Sequence, residues 1–307
     1  SCQKEIAQTK INLDNLEWLP KNERVIPGAI LVPENHNNPN GKKIQLSYVV
    51  IKSRDTQSKN HPMIFFSGGP GGNSIAEGAV EFLSEHPFTE NRDLILFDQR
   101  GIGYSSALPD MSFDNFNIMA QNADVEEELE LTEKMIDDYK RKCNEQNIDP
   151  QYYNTEQSGQ DVGMLFKHLG YEKYNLFGVS YGTRLGRIVQ DMFPEFINSS
   201  VLDSPAPMSS DFLLDRLDSY SKSLTKIFDY CESNSDCKNQ YPNLKEDYYR
   251  AISGLEKKPI KTTINDSIDF YINAQDGIYL LRRLLYQGDS REKAPELIKE
   301  YLAGKGN

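Results

Sequence analysis

The sequence predicts an α/β fold built on a mostly parallel sheet flanked by helices, and three observations carry that expectation. Met63 to Phe66 and Leu94 to Phe97 are strand-sized apolar runs with no polar alternation, as strands buried on both faces have. They run directly into the turns Ser67-Gly68-Gly69-Pro70-Gly71-Gly72 and Asp98-Gln99-Arg100-Gly101-Ile102-Gly103. Strand and helix patterns then alternate along the chain, the arrangement that produces a sheet covered by helices. A chain of 307 residues, 38% hydrophobic and 26% charged, has the size and composition for a large buried core.

The elements follow in order. Val25 to Pro33 and Lys42 to Ser53 are rich in Val, Ile, Leu and Tyr and flank the polar turn 34–41, which reads as a hairpin. A helical stretch from about Ser74 to Glu85 follows the first glycine-rich turn. Val125 to Asn144 carries apolar residues near helical spacing among many charges, the pattern of a surface helix. Thr155 to Leu169 sets Val162, Leu165, Phe166 and Leu169 on one face, and Gly170 ends it. Next come a strand at Tyr174 to Val179, a helix from Gly182 to Phe193 and a strand at Ser199 to Asp203. From Ser210 onward the pattern is mostly helical and rich in Tyr and charge. The expected division is therefore a core over 1–207 and a helical cap region over 208–307.

Charge and cysteine content narrow the function classes. Lys+Arg 34 against Asp+Glu 46 leaves a net charge of −12, which repels nucleic-acid phosphates and anionic lipid, so nucleic acid is not an expected partner. No apolar run approaches the roughly 20 residues that cross a bilayer. Cys231 and Cys237 lack enough neighbouring His or Cys for a closed zinc site and are expected to form a small disulfide loop, which favours an oxidising, extracytoplasmic compartment. No metal site and no cofactor is expected. Cys2, followed by a polar stretch, is either a lipid-anchor candidate of the bacterial lipoprotein kind or a free terminal thiol.

Gly178-Val179-Ser180-Tyr181-Gly182 matches G-x-S-x-G between an expected strand and an expected helix, the context of a nucleophile elbow. Ser180 is the expected nucleophile. A backbone N–H from Tyr181 and one from the glycine run, Gly69 preferred and Gly68 next, are the expected oxyanion-hole donors, since glycine can aim an amide at substrate without a side chain in the way. The run has neither the Lys-Ser/Thr ending of a phosphate-binding loop nor the spacing of a dinucleotide fingerprint.

The GGPGG loop, the segment Asp98 to Ser105 and the elbow through Thr183 together resemble the α/β-hydrolase serine peptidases related to proline iminopeptidase, above all the tripeptidyl-aminopeptidase-like branch. The resemblance runs from about Val25 to at least Leu255, because Cys231 to Pro242 is similar to that branch's cap. It implies an α/β-hydrolase fold with a helical cap, peptide substrates with a free N-terminus, and site-shaping roles for Asp98 and Arg100. Two departures stand out: Ser67 occupies the place of the family's usual His, and no Cys follows Ser105 to partner Cys143.

All four histidines, His36, His61, His86 and His168, precede Ser180, whereas this fold orders its triad Ser, acid, His. Asp203 is the one in-chain candidate acid, read as structural more readily than catalytic. Asp161 and Arg184 are expected to form a structural ion pair. The last strands of the core, with the acid and the base, are expected to be absent from this chain, so a C-terminal remainder of the hydrolase domain is an expected partner. Three readings stay open: a serine aminopeptidase, a carboxylic-ester hydrolase, and a non-catalytic binding protein that retains the pocket. Tyr220, Tyr230, Glu232 and Tyr241 line a cap site for a substrate ammonium or are packing and solvated surface.

Overall fold

The computed structural model describes residues 11–209, 211–265, 267–286, 288 and 291–305; Cys2 lies outside them. The chain divides into two compact units, one comprising residues 1–109 and 140–209 and the other 110–139 and 210–307.

The first unit holds a six-stranded sheet. Its strands are β1 (Val25–Pro33), β2 (Lys43–Ile51), β3 (Met63–Phe66), β4 (Leu94–Phe97), β5 (Tyr174–Val179) and β6 (Ile197–Asp203), in the spatial order β1-β2-β4-β3-β5-β6. The expected hairpin is β1–β2, antiparallel in register from Val25 opposite Ile51 to Pro33 opposite Lys43. β2 also runs antiparallel to β4, whereas β4, β3, β5 and β6 are mutually parallel. The helices of this unit include α1 (Ala79–Glu85), α4 (Thr155–Leu169) and α5 (Tyr181–Met192).

Period-2 alternation sorts the apolar strand residues onto two faces. Ile64 and Phe66 of β3, Ile95 and Phe97 of β4 and Leu176 of β5 pack with Val162, Leu165 and Phe166 of α4 and Leu185 and Val189 of α5. Met63, Leu94 and Leu96 point the other way, into a cluster with Ile75 and Val80, against which Phe65 and Phe177 also pack. Short strands with no polar alternation are what a sheet apolar on both faces requires. Each such side chain, fully removed from water, contributes about 1.5–3 kcal/mol. α4 begins where the Asn154 side chain accepts from the Gln157 amide and ends at Gly170 with φ 74, as its sequence predicts.

β6 differs from its neighbours. Among the described residues it pairs only with β5, and Val201 and Leu202 are 51% and 38% exposed.

The second unit contains α2 (Ser112–Met119), the first part of α3 (Val125–Glu145), α6 (Phe212–Ser233), α7 (Ser235–Gln240), α8 (Leu244–Lys257), a hairpin of β7 (Ile260–Ile264) and β8 (Ile268–Ile272), α9 (Ala274–Leu285) and α10 (Ala294–Leu302). The linear division expected at 207/208 omits the excursion of 110–139. That segment joins the second unit because the Tyr271 amide donates to the Ala120 carbonyl at 3.3 Å and the Phe116 ring meets Phe270 at 6.0 Å. The β7–β8 hairpin is an addition to the mostly helical pattern expected there. Cys231 and Cys237 are joined in a disulfide, and Cys143 is a buried free thiol.

Candidate active site

The parallel strands β3, β4, β5 and β6 end on the same side of the sheet, so the loop at Ser67, the loop at Asp98, Ser180 and Asp203 collect there, the usual ligand-binding edge of an open α/β sheet.

Ser180 sits between β5 and α5 with φ 54 and ψ −118, a conformation that side-chained residues rarely adopt. The flanking glycines make this turn sterically feasible. A Cβ on Gly178 would stand 2.5 Å from the Gly182 carbonyl oxygen, and one on Gly182 would stand 2.0 Å from the Phe66 carbonyl oxygen. The elbow is fastened on both sides. The Ser180 amide donates to the Asp203 carbonyl at 3.0 Å, and the Thr183 hydroxyl donates to the Ser180 carbonyl at 2.5 Å while accepting from the Ala206 amide at 3.0 Å. The Ser180 side is exposed. Tyr181 opens α5, so its amide is one of the first-turn donors that a helix leaves without an internal acceptor.

The loop after β3 passes beside Ser180. A Cβ on Gly68 would lie 3.1 Å from Ser180 Cβ and 3.6 Å from its Oγ, so glycine there gives this approach room. Gly69 follows at φ 120. The Ser67 hydroxyl donates to the Gly72 carbonyl at 2.5 Å and the Gly72 amide donates to the Gly68 carbonyl at 3.1 Å, so Ser67 supplies an internal brace for this loop.

Asp98 and Arg100 act one layer behind. Asp98 is fully buried; its Oδ1 accepts from the Ser74 and Ile75 amides at 2.7 and 3.0 Å and its Oδ2 from the Tyr104 amide at 3.0 Å. It therefore ties the end of the glycine loop to the loop after β4. Burial pushes its carboxyl above the usual carboxylate range, against the opposing pull of those amides. Arg100 grips Asp161 in two parallel bonds, Nε to Oδ2 at 2.8 Å and an Nη to Oδ1 at 2.6 Å, and donates to the carbonyls of Pro33, Glu34 and Tyr152. The expected Asp161–Arg184 pair is thus corrected: Asp161 belongs to Arg100, and Arg184 donates to the Ala206 and Pro207 carbonyls. Planar, bidentate geometry favours Arg100 as the buried partner.

None of the four histidines is bonded to Ser180. His36 meets Asp161 Oδ1 at 2.7 Å, so it is part of the Arg100 cluster rather than a loose turn residue. His168 meets the Tyr48 hydroxyl at 3.0 Å, and His86 accepts from the Phe88 amide at 3.2 Å. The His61 carbonyl accepts from the Asn175 side chain at 2.8 Å, at the strand starts and so at the opposite edge of the sheet. Asp203 ends β6 opposite Val179, and its exposed carboxylate accepts from the Ser204 hydroxyl at 2.8 Å.

The four cap residues singled out from the sequence do not converge. Tyr220 bonds Tyr248 at 3.1 Å, Tyr230 is exposed, Glu232 pairs with Lys238, and the Tyr241 ring lies 5.7 Å from Lys299 Nζ. No group of three His, Cys, Asp or Glu among the described residues is placed to hold a metal ion.

The family profile described as the alpha/beta hydrolase fold matches residues 61–239, more than half of the chain. Among curated relatives, a tripeptidyl aminopeptidase of Streptomyces coelicolor is 29% identical over 194 residues, covering 60% of this chain and 36% of the relative. The serine protease Hip1 of Mycobacterium tuberculosis is 27% identical over 217 residues, covering 64% and 40%. The chain thus spans 36–40% of the length of these relatives. A solved proline iminopeptidase of Mycobacterium smegmatis aligns at 15% identity and a TM-score of 0.42, over 89% of this chain and 70% of that one.

Proposed function

The chain belongs to the α/β-hydrolase family, and from that premise we propose that it is the Ser180-bearing part of a serine peptidase that releases residues from the free N-terminus of peptides through an acyl-enzyme. The observation that carries this reading is the backbone of Ser180, held at φ 54 between two glycines that admit no side chain. Strain of this kind costs about 1–3 kcal/mol and persists where a side chain must be presented in one orientation.

In the proposed mechanism the Ser180 hydroxyl attacks the carbonyl carbon of the scissile peptide bond, and the negative charge that develops on its oxygen is met by the Tyr181 amide and by an amide of the glycine loop, Gly69 or Gly68. Fixed backbone dipoles cost no reorganisation when that charge appears. Asp98 and Arg100 keep the surrounding loops in place and touch no substrate. A serine nucleophile needs a base to take its proton. The four histidines are engaged elsewhere or stand at the far edge of the sheet, so we assign the base and its acid to further polypeptide of the hydrolase domain. Asp203 is a secondary candidate for the acid.

Free-amine specificity rests on the similarity to the tripeptidyl aminopeptidase, and extracytoplasmic location rests on the Cys231–Cys237 disulfide. We assign the protein to the bacterial periplasm or, through lipid on Cys2, to a membrane surface.

Fluorophosphonate labelling of the full-length protein tests the nucleophile. Ser180→Ala is expected to abolish labelling and to lower turnover by several orders of magnitude, and undiminished labelling would overturn the assignment. Peptides with acetylated N-termini are expected to be cleaved far more slowly than unblocked ones. Equal rates would move the activity to endopeptidase or esterase chemistry.

A further inference from the structure

The second unit contains a cavity of 660 Å³, lined entirely by residues of that unit from α2, the β7–β8 hairpin, α9 and α10. Sites for small organic molecules span roughly 300–1,000 Å³. Most of its wall is apolar or aromatic, including Phe116, Phe270, Tyr279 and Leu297.

Asp276 and Tyr301 are two of the lining residues that carry a polar group. Asp276, 8% exposed, uses one carboxylate oxygen to accept the Asn273 amide at 3.2 Å in the capping box that starts α9, and its other oxygen has no hydrogen bond to a described residue. Tyr301, 4% exposed, has a buried hydroxyl with no hydrogen-bond partner among the described residues. Such a group costs folding free energy until something bonds it. Asp276 and Tyr301 lie within electrostatic reach of each other, since the Asp276 charge, after burial, holds the Tyr301 hydroxyl protonated. Burial pushes the Asp276 carboxyl up to about 6, which leaves it ionised at neutral pH. No Lys, Arg or His is among the described lining residues to neutralise it.

An anionic carboxylate and aromatic faces select for a cation that donates hydrogen bonds and carries apolar surface. We propose that this cavity binds a small organic ammonium with an apolar or aromatic body, its head on the Asp276 carboxylate. The inference goes beyond the Ser180 reading and does not depend on it, because its readout is binding rather than hydrolysis.

Titration of the protein with 2-phenylethylammonium chloride at neutral pH, followed by calorimetry, tests it, with 2-phenylethanol and phenylacetate as controls. Saturable binding of the amine is expected, with the alcohol weaker by about tenfold or more and phenylacetate without measurable affinity. Asp276→Asn should cost about tenfold or more. Leu280→Trp, which fills the cavity from its wall, should abolish binding. Circular dichroism confirms that each variant is folded, and if Asp276→Asn is not, Leu280→Trp decides. Absence of saturable amine binding, equal affinity for alcohol and amine, or full affinity in Leu280→Trp would overturn the proposal.

Discussion

The loops at the ends of β3 and β4 and the cavity of the second unit both bury aspartates, and they treat them in opposite ways. Asp98 has three backbone amides, and Asp161 has the bidentate Arg100 with His36 beside it. At the cavity, among the described residues, Asp276 accepts a single amide and the buried Tyr301 hydroxyl has no hydrogen bond. The contrast separates two uses of a buried polar group: saturated by the protein it fixes loops, and left incomplete it is open to a ligand. Removing a member should therefore be strongly destabilising in the first region and neutral or stabilising in the second.

The largest effect is expected at Asp161. Asp161→Asn leaves the Arg100 guanidinium, 3% exposed as a residue, without a counter-charge, and should cost about 3–5 kcal/mol in denaturant unfolding. A loss below about 1 kcal/mol would mean that the carbonyls of Pro33, Glu34 and Tyr152 suffice for Arg100 and that the ion pair is incidental. Asp98→Ala comes next. It leaves three inward amides without an acceptor and should cost about 2–4 kcal/mol by the same assay, with greater protease sensitivity of the loop after β3.

Asp276 is where the sign should reverse. Its folded carboxyl titrates at about 6 against the ordinary 3.8, so between those values the folded state binds more protons than the unfolded one. Stability contributed by the protonated form is therefore present at low pH and lost as pH rises through about 6. Burial is the main cause, with the nearby charge of Glu128 adding to it. Asp276→Asn keeps an oxygen for the Asn273 amide and removes the ionisation, so it should flatten this pH dependence and raise stability at neutral pH by about 1–3 kcal/mol. Thermal melts from pH 4 to pH 8 check it, and a destabilised variant at neutral pH would erase the contrast between the two regions. The smallest change is expected for Tyr301→Phe, within about 1 kcal/mol and on the stabilising side, because it removes a hydroxyl that has no partner.

These same regions show how far the sequence could be read. The strands β1 to β6 were legible because their apolar runs are bounded by strong turn residues, and the elbow was legible because G-x-S-x-G sits in one continuous stretch. The partner of Asp161 was not: Arg184 is nearer in sequence, whereas Arg100 reaches it across 61 positions, and only the parallel packing of the sheet brings them together. The β7–β8 hairpin carries a sequence signal of its own, β-branched and aromatic residues on either side of Asn265, which takes φ 50 at the turn. The cavity has no sequence signature, since its lining runs from Phe116 to Tyr301 and the Asp276 carboxylate meets its aromatic neighbours only in the fold.

The conformation of Ser180 carries a consequence for anyone who would redesign this protein. Glycine adopts φ 54 without penalty. A selection for heat resistance alone should thus enrich Ser180→Gly, and the position most attractive to such a screen is the one whose loss the proposed chemistry could least survive.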